Sequence, residues 1–138
     1  MSESQKCLFL LERLGKFGLG TSDVPTPNLD EILVEIRATA LNPVDWKIQV
    51  HDFGGIVKEY PAVLGTDSAG IVKAVGKGVT KFAVGDRMYV WFCYLCSIGL
   101  TRRTCRMHQG FFTKRLATFQ QYTTVPEELA AKVLFFNA

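Results

Sequence analysis

The stretch Tyr60–Arg87 constrains this chain more than any other part of it. It is apolar, β-type sequence cut at short intervals by glycine. Pro61 sets an extended start, Gly65 and Gly70 bracket a turn carrying Thr66 and Asp67, and Ala69–Val75 is an apolar run broken only by Lys73. Gly76 and Gly78 then turn the chain, and Gly85-Asp86 introduces the next apolar run. Glycine at such points marks backbone angles that a residue with a Cβ tolerates poorly, so the segment predicts strands joined by tight turns.

The flanking sequence continues this pattern. Lys6–Leu11 predicts a first strand, and Gly15–Gly20 a hairpin region leading to Thr21–Val24, stopped by Pro25 and Pro27. From Glu31 the chain alternates, with Ile32, Val34, Ile36 and Ala38 on one face and Glu31, Leu33, Glu35, Arg37 and Thr39 on the other, which predicts a half-buried strand. Ala40-Leu41-Asn42-Pro43 stops it. Pro43 suits a first helical position and Asn42 its N-cap, so Val44–Ile48 predicts a short helical turn. Met88–Phe92 and Thr118–Val125 read as further strands, and Pro126–Leu129 opens a short helix. No sustained amphipathic helix, internal repeat or low-complexity tract is present. The expected class is mainly β with a few short helices, a barrel or a sandwich.

Composition bounds the partners. At 138 residues the chain is one domain, able to bury a core without disulfides. The whole-chain charge of +3 hides an uneven distribution, since no acidic residue lies between Asp86 and Glu127 while Arg87, Arg102, Arg103, Arg106, Lys114 and Arg115 do. Such a run is more often a solvated face than a nucleic-acid surface, so no nucleic-acid partner is expected. The apolar run Cys7–Leu11 is too short for a signal-peptide core or a membrane span, and there is no Asn-x-Ser/Thr sequon. A cytoplasmic location without membrane contact follows as the default. Cys7, Cys93, Cys96 and Cys105 are then thiols or metal ligands rather than disulfides.

Residue types alone place Asn42, Asp45 and Lys47 on one predicted turn, and Thr66 with Asp67 in a glycine-bracketed loop. Their ordinary roles are a helix cap for Asn42, solvent contact for Asp45 and Lys47, and turn formation for Asp67. The Gly76-Lys77-Gly78 triplet fails the phosphate-loop spacing and no helix follows it, so it is a turn.

The ordered series Ala40-Leu41-Asn42-Pro43-Val44-Asp45-Trp46-Lys47, Tyr60–Gly70, Val75-Gly76-Lys77-Gly78-Val79 and Gly85-Asp86-Arg87 resembles the amino-terminal part of the medium-chain dehydrogenase/reductase superfamily. It is most similar to the zinc-independent quinone oxidoreductase-like proteins and trans-acting enoyl reductases. Thr118–Thr123 with Val125-Pro126 resembles the strand that closes this domain. The resemblance implies a GroES-like, partly open β-barrel over residues 1–138, the catalytic domain of an NADPH-dependent reductase of activated double bonds, enones or quinones. It implies catalytic roles for Asn42 and Lys47 and cofactor contacts from Asn42, Pro43 and Thr66. The amide of Asn42 would hold a carbonyl as charge builds on its oxygen, and Lys47 would donate a proton or bind an anion. Zinc alcohol dehydrogenases carry a cysteine ligand where Asn42 stands and a histidine where Thr66 stands, so a catalytic zinc is disfavoured.

Two departures qualify that resemblance. The Rossmann domain that follows in the family, with its glycine-rich turn for the pyrophosphate, has no counterpart in this sequence. Most of the NADPH site is therefore expected to be absent, independent activity is disfavoured, and an exposed apolar surface would favour self-association. An atypical insertion at about 88–107 and an atypical end at 133–138 form the second departure. The insertion supplies Cys93, Cys96, Cys105 and His108, four possible zinc ligands, and with them the alternative of a zinc-stabilised binding module. The insertion and the ending also fit translated non-coding sequence, because family-like sequence resumes at Gln109-Gly110-Phe111-Phe112. A non-catalytic truncation product is the remaining alternative.

Overall fold

The computed structural model describes residues 3–90 and 114–133. The candidate zinc ligands Cys93, Cys96, Cys105 and His108, most of the insertion and nearly all of the atypical ending lie outside the described residues.

Strand β1 (Ser4–Leu10) pairs antiparallel with β2 (Phe17–Asp23) from Ser4↔Asp23 to Leu10↔Phe17. Gln5, Cys7 and Phe9 of β1 point inward at the strand period of two, and Leu10 is also buried. The other edge of β1 takes the two-residue β4 (Ala62–Val63), completing a sheet of order β2-β1-β4. A second, curled sheet is built around β3 (Glu31–Thr39) and β5 (Ser68–Val75). Strand β6 (Arg87–Val90) flanks β5, β7 (Tyr122–Pro126) flanks β3 and β8 (Ala130–Lys132) lies outside β6, giving the antiparallel order β7-β3-β5-β6-β8. Helix α1 (Pro43–His51) and single 3-10 turns at Asp52–Gly54 and Glu127–Leu129 are the helical elements among the described residues.

The predicted elements are present, with shifts that have physical causes. The alternation of β3 buries Ile32 and Val34, but Ile36 is half-buried and Ala38 exposed. A register irregularity between Ile36 and Ala38 interrupts the face that the pattern predicts. Gly70 lies within β5 rather than closing the turn, paired with Ile36 and Met88. The helix runs three residues past the predicted turn, to His51. Thr118–Gln121 does not belong to β7, because its backbone groups bond to two different sheets.

Each sheet has its own core. Cys7, Phe9, Leu10, Val63, Leu64 and Phe119 pack with Ile48 of α1, and Ile32, Val34, Val72, Phe82, Met88 and Val125 form the second cluster. At about 25 cal/mol per Å² of apolar surface removed from water, burial of these side chains is the main favourable contribution to folding. Among the described residues no helix is long and apolar enough to cross a membrane.

The turn after β5 closes on the loop before β3. Gly76 N–H donates to Glu31 O at 2.8 Å, and Asp30 N–H donates to Lys77 O at 2.9 Å. A Cβ on Gly76 would run into the Asn28 backbone carbonyl, which side-chain motion cannot relieve. Gly76→Ala is therefore expected to lose more than about 2 kcal/mol in urea unfolding. A second clasp is Glu127 Oε2, which accepts the N–H of Thr80 at 3.0 Å and of Lys81 at 2.9 Å. The Lys81 and Thr80 bonds hold the Glu127 carboxyl below its usual range. A depressed folded-state pKa contributes stability above the unfolded value of 4.5, lost as the pH falls through the folded value. Urea midpoints of the wild type and of Glu127→Gln should therefore differ at neutral pH and converge as the pH falls below the unfolded value of 4.5.

Candidate active site

Pro43 begins α1 and Asn42 is its N-cap, in extended backbone geometry, as the sequence predicts. The cap links several parts of the chain. Asn42 backbone N–H donates to Asp45 Oδ2 at 2.7 Å, and Asp45 N–H donates to Asn42 O at 3.0 Å. The Asn42 side-chain amide donates to Thr66 Oγ1 at 3.1 Å and to Asp67 Oδ2 at 3.0 Å. An ionised carboxylate only accepts, so Asp67 fixes which end of the amide faces it, and both amide N–H groups are committed inside the protein.

The turn at Gly65 delivers Thr66 and Asp67 to this point. Its φ of +91° lies in the left-handed region, and a Cβ there would collide with the Phe119 ring and sit 2.5 Å from Thr118 Oγ1. Thr118 N–H donates to Gly65 O at 3.1 Å and Phe119 N–H to Leu64 O at 2.9 Å. The Asp67 carbonyl accepts from Thr39 Oγ1 at 2.9 Å and from Ala40 N–H at 3.2 Å, tying the end of β3 to the same turn. Thr66 is buried.

Asp45 does not face water. It is 5% exposed, and its Oδ1 is buried with no hydrogen-bond partner among the described residues. Burial pushes its pKa up, the N–H groups of Asn42 and Gly65 pull it back in part, and the nearby charge of Asp67 adds to the rise. Its charged form is thus disfavoured in the fold, and its contribution to stability declines as the pH rises through the raised value.

Asn42, Asp45 and Gln49 border an open cleft of about 480 Å³ whose other walls are Leu8, Phe17, Leu41, Pro43, Trp46 and Phe119. Leu41 is 82% exposed and Trp46 50% exposed at its edge. Gln49 Nε2 donates to Gly15 O at 3.2 Å. Of the predicted site residues, Asn42, Pro43 and Thr66 meet here, Thr66 through its bond to Asn42. Lys47 does not line the cleft; it is exposed, with Nζ 5.8 Å from the Trp46 ring centroid.

The sequence does not point to Trp46 or Gln49, and it predicts a solvent-facing Asp45. Asn42, Asp45, Trp46 and Gln49 fall at i, i+3, i+4 and i+7, one face of a helix, while Lys47 falls beside it. Extending the predicted turn to His51 was the missing signal. Among the described residues no group of three or more His, Cys, Asp or Glu is placed to hold a metal ion.

The model of the alcohol dehydrogenase GroES-like domain family matches residues 28–134. A trans-enoyl reductase, himH, of Aspergillus japonicus is 38% identical over 75% of this chain and 25% of its own length. A chloroplast envelope quinone oxidoreductase homolog of Arabidopsis thaliana is 41% identical over 56% of this chain and 24% of its own length. The crystal structure of an alcohol dehydrogenase superfamily protein from Novosphingobium aromaticivorans superposes with a TM-score of 0.73 at 29% identity, over 93% of this chain and 34% of that one. The chain thus spans about a quarter of the length of these two named relatives. It belongs to the alcohol dehydrogenase GroES-like domain family, within the medium-chain dehydrogenase/reductase superfamily.

Proposed function

We propose that this chain is the substrate-side domain of an NADPH-dependent oxidoreductase that reduces an activated double bond or a quinone. The observation that carries the proposal is the aromatic-walled cleft at the start of α1, with Asn42 held at its edge by Thr66 and Asp67. An apolar cleft with a few fixed polar groups is the usual form of a small-molecule site. The names of the relatives, quinone oxidoreductase and trans-enoyl reductase, agree with this choice of chemistry.

The cleft suits a planar ring, and the residues that would hold the nicotinamide are Asn42, Pro43 and Thr66. When bound, that cofactor supplies the hydride. The chain's own task is to seat the substrate, exclude water with Leu8, Phe17, Trp46 and Phe119, and meet the charge that builds on the carbonyl oxygen. Asn42 has no spare N–H for that charge. Its bond to the neutral Thr66 hydroxyl is the weaker of the two, so a substrate oxygen can share or take over that N–H while the charge-assisted bond to Asp67 keeps the amide in place. Lys47, outside the cleft, contributes positive charge near the Trp46 wall rather than a proton at the reacting centre.

The test is reconstitution. Fused to the cofactor-binding portion of a trans-enoyl reductase, the chain should consume NADPH with an enone such as cyclohex-2-enone; by itself it should not. Loss of one donor to the developing oxyanion predicts that Asn42→Ala lowers kcat about 100-fold. Lys47→Met should fall well short of the roughly 100-fold loss that removing a general acid causes. A fusion that folds, binds NADPH and reduces no enone or quinone would refute the assignment.

A further inference from the structure

Helix α1 supplies much of the cleft lining, and its two ends are tied down differently. At the start, Asn42 is held by Thr66 and Asp67. The far end is tied to the loop between β1 and β2, the strands that bring Leu8 and Phe17 to the same cleft. Within that loop Leu11 N–H donates to Lys16 O and Gly15 N–H to Glu12 O, both at 3.1 Å. Gly15 O accepts from Gln49 Nε2 at 3.2 Å, and Arg13 Nη2 lies 2.6 Å from Asp52 Oδ2. Phe17 follows Gly15 by two residues, so whatever fixes the loop on the helix also fixes Phe17 relative to Gln49 and Trp46.

The ion pair is not an ordinary surface one. Arg13 is largely exposed, and a pair of two exposed groups would contribute little. Asp52, however, is only 7% exposed, and a buried carboxylate left without its partner is strongly unfavourable. Asp52 caps α1 at a φ of +58° and Phe53 follows at +32°, a left-handed geometry that residues with a Cβ keep only where neighbours hold it. Tyr60 stands near the pair: burial and the Asp52 charge push its pKa up, and Arg13 pulls it down. Its buried hydroxyl has no hydrogen-bond partner among the described residues, so it does not take Arg13's place on the carboxylate. We infer that the Arg13–Asp52 pair is the tie that sets the β1–β2 loop and Phe17 against α1, which makes Arg13 a positioning residue for a ligand in the cleft. Without the guanidinium, Asp52 turns toward water, the strained turn at Asp52 and Phe53 relaxes, and Gln49 loses its place beside Gly15. The inference rests on the cleft being the substrate site. It adds a loop residue outside the lining to those that decide how tightly an enone is held.

A double variant separates a positioning role from a merely structural one. Titration of the full chain with cyclohex-2-enone, followed by 15N NMR of the Gln49 side-chain amide, should show Arg13→Met binding about tenfold more weakly than the wild type. The Gln49 amide resonance should already be displaced in that variant before any ligand is added. Arg13→Lys, which keeps a cation, should stay within about threefold of the wild type. The double variant, Arg13→Met with Asp52→Asn, leaves no buried charge unpaired, so its urea midpoint should return toward the wild type while its affinity stays low. Should Arg13→Met fail to fold, the double variant carries the same comparison. Affinity that recovers together with stability would overturn the inference, and so would a folded Arg13→Met with wild-type affinity and an unmoved Gln49 amide. A wild type that binds no enone would refute the substrate reading of the cleft. The Gln49 amide then judges the tie alone: displaced in both variants it supports the tie, and unmoved it overturns it.

Discussion

Residues 117–122 strap the two sheets together, and the cleft depends on that strap. On one side Phe119 O accepts from Leu8 N–H at 2.8 Å and Gln121 O accepts from Ile36 N–H at 2.8 Å, so consecutive odd residues reach different sheets. Side chains reinforce the join. Gln5 Nε2 donates to Gln120 Oε1 at 3.2 Å, Gln5 Oε1 accepts from Tyr122 N–H at 2.7 Å, and Gln120 Nε2 donates to Ala117 O at 2.6 Å. Gln5 and Gln120 are both buried, and a buried amide is tolerated because its donors and acceptors find partners. The same strap puts the Phe119 ring in the first core and in the cleft wall. Its Thr118 and Phe119 backbone also fixes the Gly65 turn, and through it Thr66 and Asp67. Sheet assembly and site geometry thus share one set of bonds.

The site itself is a competition among acceptors for few donors. Asp45 lies in the first turn of α1, where the partial positive charge of the helix end favours a carboxylate. Burial and the charge of Asp67 oppose it, and the raised pKa shows which side prevails. Asn42 sits between these two carboxylates, one bonding its backbone N–H and the other its side chain. That arrangement makes the amide rigid and leaves it poor in free donors. Rigidity suits the role proposed for it, a group held in one place beside a reacting ring.

Much of this was legible in the sequence, though unevenly. The glycine-punctuated stretch after Tyr60 marks β5 and the turn that follows it, though Gly70 falls inside the strand, and Pro43 with Asn42 marks the start of α1. The family resemblance of the same stretches led to the fold class. The failures came where tertiary contacts override local pattern. Thr118–Val125 reads as one strand from its Thr, Tyr and Phe content, yet its first half is shared between two sheets, which no local propensity encodes. Asp45 reads as a solvent-facing charge, as most aspartates are, until the Gly65 turn and Asn42 close over it.

The role of Asn42 shows why residue identity and position are insufficient for chemistry. An amide at this position in the chain suggests a donor for a substrate carbonyl. The fold puts Asn42 on the cleft wall with Thr66 bonded to it. The hydrogen-bond partners then change what the amide can offer, because Asp67 accepts and cannot donate. A function inferred from the residue type alone would assign Asn42 a free N–H that the fold has already committed. The chemistry available at the cleft is therefore set by Thr66, Asp67 and Asp45 as much as by Asn42, and these three are brought there by a glycine turn and a strap that are distant in sequence from the helix they serve.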